Sequence, residues 1–133
     1  MTMSNAAAFQ FVADPAAWKP PAGIVAPISA GIRSKQKLLA ILADRLRFPA
    51  WTGRNWDALE ESLRDLSWLP PGSVALVHQD LPFGPGGANR GIYLSILNQA
   101  CRFWADDPTR KLVVILPASE ADAVTSTLAA AEH

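Results

Sequence analysis

One run constrains the fold more than any other: Lys111-Leu112-Val113-Val114-Ile115-Leu116. A strand half-open to water alternates apolar and polar residues, and this one does not. A continuous β-branched and leucine run is the pattern of a strand covered on both faces, as in a parallel sheet under helices. Two shorter apolar runs, Gly23 to Pro27 and Ser73 to His78, read as further strands. Helical patterns separate them. After Ser34, a good N-cap, Leu38, Leu39, Leu42 and Leu46 share one face, and Phe48-Pro49 ends that helix. After Asn55, another good cap, Trp56, Leu59, Leu63 and Leu66 recur at helical spacing. Asn89 is expected to cap a third helix bearing Tyr93, Ile96, Leu97, Ala100 and Trp104, which Asp106-Asp107-Pro108 stops.

Helices between strands imply crossover connections, and crossovers imply parallel strands. The expectation is therefore α/β: a small three-stranded parallel sheet packed by helices, over residues 22–117. A loosely ordered, Ala- and Pro-rich arm (1–21), with a short strand at Phe9 to Val12, precedes it. An alanine-rich C-terminal helical extension (118–133) follows.

Composition narrows the function. The 133 residues include 12 Lys plus Arg and 12 Asp plus Glu, and half are hydrophobic, which is not a disordered composition. A nonspecific nucleic-acid binder relies on excess positive charge, and none is present. The neutrality is a cancellation. Residues 57–65 hold four acids and one base, while residues 33–47 hold five bases and one acid. Steering of partners by total charge is therefore not expected. One cysteine, Cys101, forbids an internal disulfide and fits a reducing cytosol. The N-terminus lacks the basic region of a signal peptide, and no run approaches a membrane span. Two histidines and one cysteine cannot build the usual zinc sites, and no cofactor is implied.

Several features invite chemistry. The loop Phe83-Gly84-Pro85-Gly86-Gly87 is glycine-rich, but Ala88-Asn89-Arg90 follows where a phosphate loop needs Lys and Ser or Thr, so it reads as a plain connection. Cys101 lies among apolar neighbours in a helical pattern and lacks an assured base, which favours a buried structural thiol. The five tryptophans are mostly core candidates, with Trp51, in a loop before a helix, the least so.

The acidic helix carries the strongest signal. Its apolar arc leaves Asp57, Glu60, Glu61, Arg64 and Asp65 on the other side. Asp57 and Glu60 favour the helix N-terminus, and Glu60 can pair with Arg64 four residues on. Asp57, Glu61 and Asp65 nevertheless form a like-charge ladder at i, i+4, each step costing a few tenths of a kcal/mol. Spacing alone leaves two readings open, a solvated face or a surface for a basic partner. Acid–base catalysis would need a cleft to raise one carboxyl pKa, and an exposed helix face is a poor place for it.

The segment Phe48 to Leu66, FPAWTGRNWDALEESLRDL, resembles the barstar family of intracellular ribonuclease inhibitors. The shared pattern is a proline, an aromatic, a Gly-x-Asn turn and an Asp-Ala-Leu helix, here Pro49, Trp51, Gly53-Arg54-Asn55 and Asp57-Ala58-Leu59. The leucine-rich helix before it and the closing strand also fit, so the likeness covers roughly residues 23–117. The resemblance implies a three-stranded parallel sheet with helices. It also implies a non-enzymatic role: plugging the basic active site of a secreted microbial ribonuclease with carboxylates that mimic RNA phosphate. By position, Asp57 and Glu61 match contact carboxylates, Trp51 the contact aromatic and Asn55 the capping asparagine, with Gly53 and Glu60 completing the expected partner-binding set. Three departures stand out. Glu61 replaces an expected Asp, Glu60 stands where the best-known member has a tryptophan, and Arg102, Phe103 and Trp104 occupy the third-helix region where the family can supply another acid. The leading expectation is a cytoplasmic inhibitor, monomeric when free, that contacts neither nucleic acid nor membrane. The alternative is an interaction module of the same fold for some other basic protein. A hydrolase built on the clustered carboxylates is a third class, with no nucleophile, metal set or oxyanion loop behind it.

Overall fold

A computed structural model describes residues 8–19 and 22–131. Residues 1–7, 20 and 21 of the expected arm, and 132 and 133 of the C-terminal segment, lie outside the described residues. In chain order the elements are β1 (Phe9–Val12), β2 (Ile24–Ile28), α1 (Lys35–Arg45), α2 (Trp56–Leu63), β3 (Gly72–His78), α3 (Asn89–Trp104), β4 (Arg110–Pro117) and α4 (Ala121–Ala131). The strands form one sheet in the order β1-β4-β3-β2, and every neighbouring pair is parallel.

The sheet has four strands, not the expected three. The fourth is β1, which lies beside β4 with Phe9 opposite Val114 and Phe11 opposite Leu116. Phe9 is buried in the helix-side core, and this apolar anchor explains why so short a segment joins the edge.

The two faces are covered unequally. Ala26, Ile28, Val74, Leu76, Leu112, Val114 and Leu116 pack on one side against Leu38, Leu42, Leu59, Leu63, Leu94 and Leu97 of the helices. The opposite face carries Ala75, Val77 and Ile115, with Val12, Trp18 and Val113 against them. Among the described residues its cover is the 3-10 turn Pro15–Ala17 and Trp18, and Val25 of the edge strand remains 41% exposed. The uninterrupted apolar run of β4 thus answers to helices on one side and to a short N-terminal strap on the other.

Helix ends explain the placement of the loops. Ser34 caps α1 by accepting the Lys37 N–H at 3.2 Å. Its C-terminal carbonyl at Leu46 accepts the Trp68 indole N–H at 2.8 Å. The Trp104 indole donates to Leu63 O at 2.7 Å, tying the end of α2 to α3. These two tryptophans satisfy helix-terminal carbonyls that would otherwise lack partners. Asn89 does not cap α3; Ala88 occupies that place in helical conformation without a side-chain bond. Arg90 instead secures the preceding loop, donating to Phe83 O at 2.6 Å.

Candidate functional site

α2 and the loop before it hold all six candidate residues. The loop turns at Pro49, whose carbonyl accepts the Thr52 N–H at 3.0 Å. Trp51 stands out from the turn at 87% exposure, the most exposed large apolar side chain among the described residues. A Cβ on Gly53 would lie 3.1 Å from Asn55 Nδ2, so glycine leaves room for the asparagine to fold back over the helix start. Asn55 Oδ1 accepts the Ala58 N–H at 2.8 Å, the expected cap.

Trp56 fixes the rotation of α2. Its half-buried ring meets Phe83 edge-on at 6.2 Å and Tyr93 at 6.3 Å, with the Lys35 ammonium 5.6 Å from the ring centre. Leu59, Ser62 and Leu63 are buried beneath. With that face inward, Asp57 and Glu61 point to solvent, and both are exposed. Glu60 is half-exposed and pairs with Arg64 at 3.1 Å, as its i, i+4 spacing suggests.

The helix is shorter than its sequence pattern. It ends at Leu63, and Leu66 turns left-handed at φ 53° so that its side chain is fully buried. Asp65 therefore leaves the helix, and its Oδ1 accepts the Ser67 N–H at 3.3 Å. The like-charge ladder shrinks from two helical steps to one, Asp57 to Glu61.

Two recesses flank α2 and divide the candidate residues. One, of about 330 Å3, gathers Trp51, Gly53 and Glu61 with Asp65 and Trp68. The other, of about 760 Å3, is bordered by Asp57 and Glu60 and extends between α3 and α4. Asn55 sits at the helix start, outside the lining of both. Sequence reasoning did not anticipate the second recess, because nothing in the alanine-rich tail signals which helix it will pack on. Nor did it place Asp65 in the recess that Trp51 lines, which depends on the left-handed turn at Leu66.

His78, Tyr93 and Cys101 lie in the core, away from this surface. His78 is fully buried; its Nδ1–H donates to Ile115 O at 3.0 Å, which leaves Nε2 to accept the Tyr93 hydroxyl at 2.6 Å. Burial pulls the imidazole down to about 4, and burial likewise pushes the Tyr93 hydroxyl well above its usual range. Cys101 is buried, and desolvation raises its thiol to about 12, away from the reactive thiolate. Among the described residues no group of three or more His, Cys, Asp or Glu is placed to hold a metal ion, and no helix is long and apolar enough to cross a membrane.

Comparison with curated proteins and with solved structures gave no match. The family model described as Barstar (barnase inhibitor) matches residues 25–116, from β2 to the penultimate residue of β4, with the loop and α2 inside the match. That span takes in most of the chain, the parallel sheet from β2 onward and all six candidate residues: the chain belongs to the barstar family.

Proposed function

We propose that the chain is an inhibitor of a microbial ribonuclease of the secreted type, held in check inside the cell that makes it. The reading rests on one observation: Asp57 and Glu61 stand exposed on a helix whose rotation is fixed by Trp56, next to an almost fully exposed Trp51. A ribonuclease active site that binds RNA phosphate presents clustered Arg, Lys and His. Carboxylates on a rigid helix meet such a cluster at fixed spacing, with little ordering cost on binding. In this reading Asp57 and Glu61 take the place of phosphates, Trp51 packs on the enzyme surface and Glu60 adds charge beside Arg64. Gly53 and Asn55 hold the loop and helix start in the geometry that the carboxylates need. In this reading the inhibitor is cytoplasmic, needs no cofactor and is a monomer when free of its partner.

The extra methylene of Glu61, and Glu60 in its ion pair with Arg64, favour a second reading, in which the same surface binds a basic protein other than a ribonuclease. An RNA-cleavage assay separates the two. Stoichiometric amounts of the chain are mixed with a panel of guanyl-specific ribonucleases, including any encoded by the same genome. Inhibition of at least one enzyme is expected. No inhibition at stoichiometric excess across the panel rejects the ribonuclease reading and leaves the other basic partner to be found by pull-down.

A further inference from the structure

The larger recess beside α2 has three helical walls, and the third lies beyond the residues that match the family. α4 docks on the body of the protein through Val124 and Leu128, both fully buried. Its groove side faces Gly91 of α3, where a Cβ would lie 3.7 Å from Thr127 Cγ2 and Ala131 Cβ. The trough between the two helices is largely apolar, with Ile92 at 38% exposure and Ile96 and Ala130 along it. Asp57 and Glu60 form its lip, and no Lys, Arg or His is among its lining residues.

This combination selects an occupant. A purely apolar segment seated here would strip water from Asp57 and return no partner for it, while Glu60 keeps its pairing with Arg64. A nucleic acid would bring phosphates to the same carboxylates. A basic side chain whose alkyl stem lies along the apolar trough, with its charged end at the lip, satisfies both parts. We propose that the α2–α3–α4 groove is a second docking site for the basic protein partner, accepting a segment in which Arg or Lys stands next to an aliphatic residue. The proposal rests on the reading of α2 as the partner-binding helix. It adds α4 as an element that selects which partner is held.

Ser126 and Ala130 are exposed on α4 and line the groove, so Ser126→Arg/Ala130→Arg fills it with positive charge without entering the core. Gln99→Arg does the same from α3 and serves as an independent variant should the double substitution melt early. The variants, the unsubstituted chain and Glu61→Ala are compared by inhibition titration against the ribonuclease panel, with thermal melts as the fold control. The groove variants are expected to weaken inhibition about tenfold or more. Inhibition undiminished in the groove variants but weakened by Glu61→Ala overturns the groove and leaves the α2 reading standing. If no ribonuclease is inhibited, the ribonuclease reading falls while α2 remains the surface for another basic protein, and an NMR titration of the full chain with acetyl-Leu-Arg-amide decides the groove. Saturable shifts at Gly91, Ser95 and Thr127 that vanish in the Arg variants support it. Their absence overturns it.

Discussion

Lowering the pH should destabilise this fold through a single buried side chain. His78 has an ordinary value of 6.5 in the unfolded chain and about 4 in the folded one, chiefly because burial disfavours its charged form. Its hydrogen bonds require the neutral ring, with Nδ1–H donating to Ile115 O and Nε2 accepting from Tyr93. A base whose folded pKa is depressed contributes its full stability above the unfolded value. Between the two values the unfolded chain binds a proton that the native state does not, so stability falls as the pH falls. Linkage gives a loss of about 2 kcal/mol between pH 7.5 and pH 5, approaching about 3 kcal/mol below pH 4. Urea unfolding at both pH values measures it directly. In His78→Gln, whose amide both donates and accepts but does not titrate, most of that difference should vanish. A stability that is flat over this interval in the native sequence, or an equal loss in His78→Gln, would refute the reasoning.

Other outcomes follow from particular contacts. Gly91 lies inside α3 with negative φ and ordinary space around it, so Gly91→Ala should raise stability by about 0.5–1 kcal/mol in urea unfolding. Asn55→Ala removes the α2 cap and should cost about 1 kcal/mol of stability, read from the same assay. Cys101 should react with an aromatic disulfide reagent only slowly in the native protein and rapidly in denaturant, because burial keeps its thiol protonated.

Much of the fold was legible where local and global signals agree. The β4 run, the Ser34 and Asn55 caps and the leucine faces of α1 and α2 each satisfy a local rule that tertiary packing then reinforces. Other features depend on contacts that no local pattern encodes. Leu66 continues the helical spacing of α2, yet the chain leaves the helix before it and buries the side chain from a left-handed turn. The short strand at Phe9 to Val12 was legible, but its pairing with β4 as a fourth strand was not, since that depends on Phe9 reaching the core. Ala88 rather than Asn89 takes the cap position of α3, and Arg90 holds the preceding loop through the Phe83 carbonyl. For the site, the exposure of Asp57 and Glu61 followed from the phase of α2, and that of Trp51 from its place in the loop before the helix. Their division between two recesses did not, because it requires knowing that α4 closes one of them.

The central claim is that the α2 carboxylates carry partner recognition while contributing little to the fold. It is tested most directly by titrating Asp57→Ala/Glu61→Ala against whichever ribonuclease the native chain inhibits, with a thermal melt alongside. Losing one member of a charge pair desolvated at an interface costs about 2–5 kcal/mol. The double variant should therefore bind at least about a hundredfold more weakly, since each 1.4 kcal/mol is tenfold. Its melt should shift only slightly, because both side chains are exposed. Undiminished inhibition by the double variant, or a variant that no longer folds, would contradict the account.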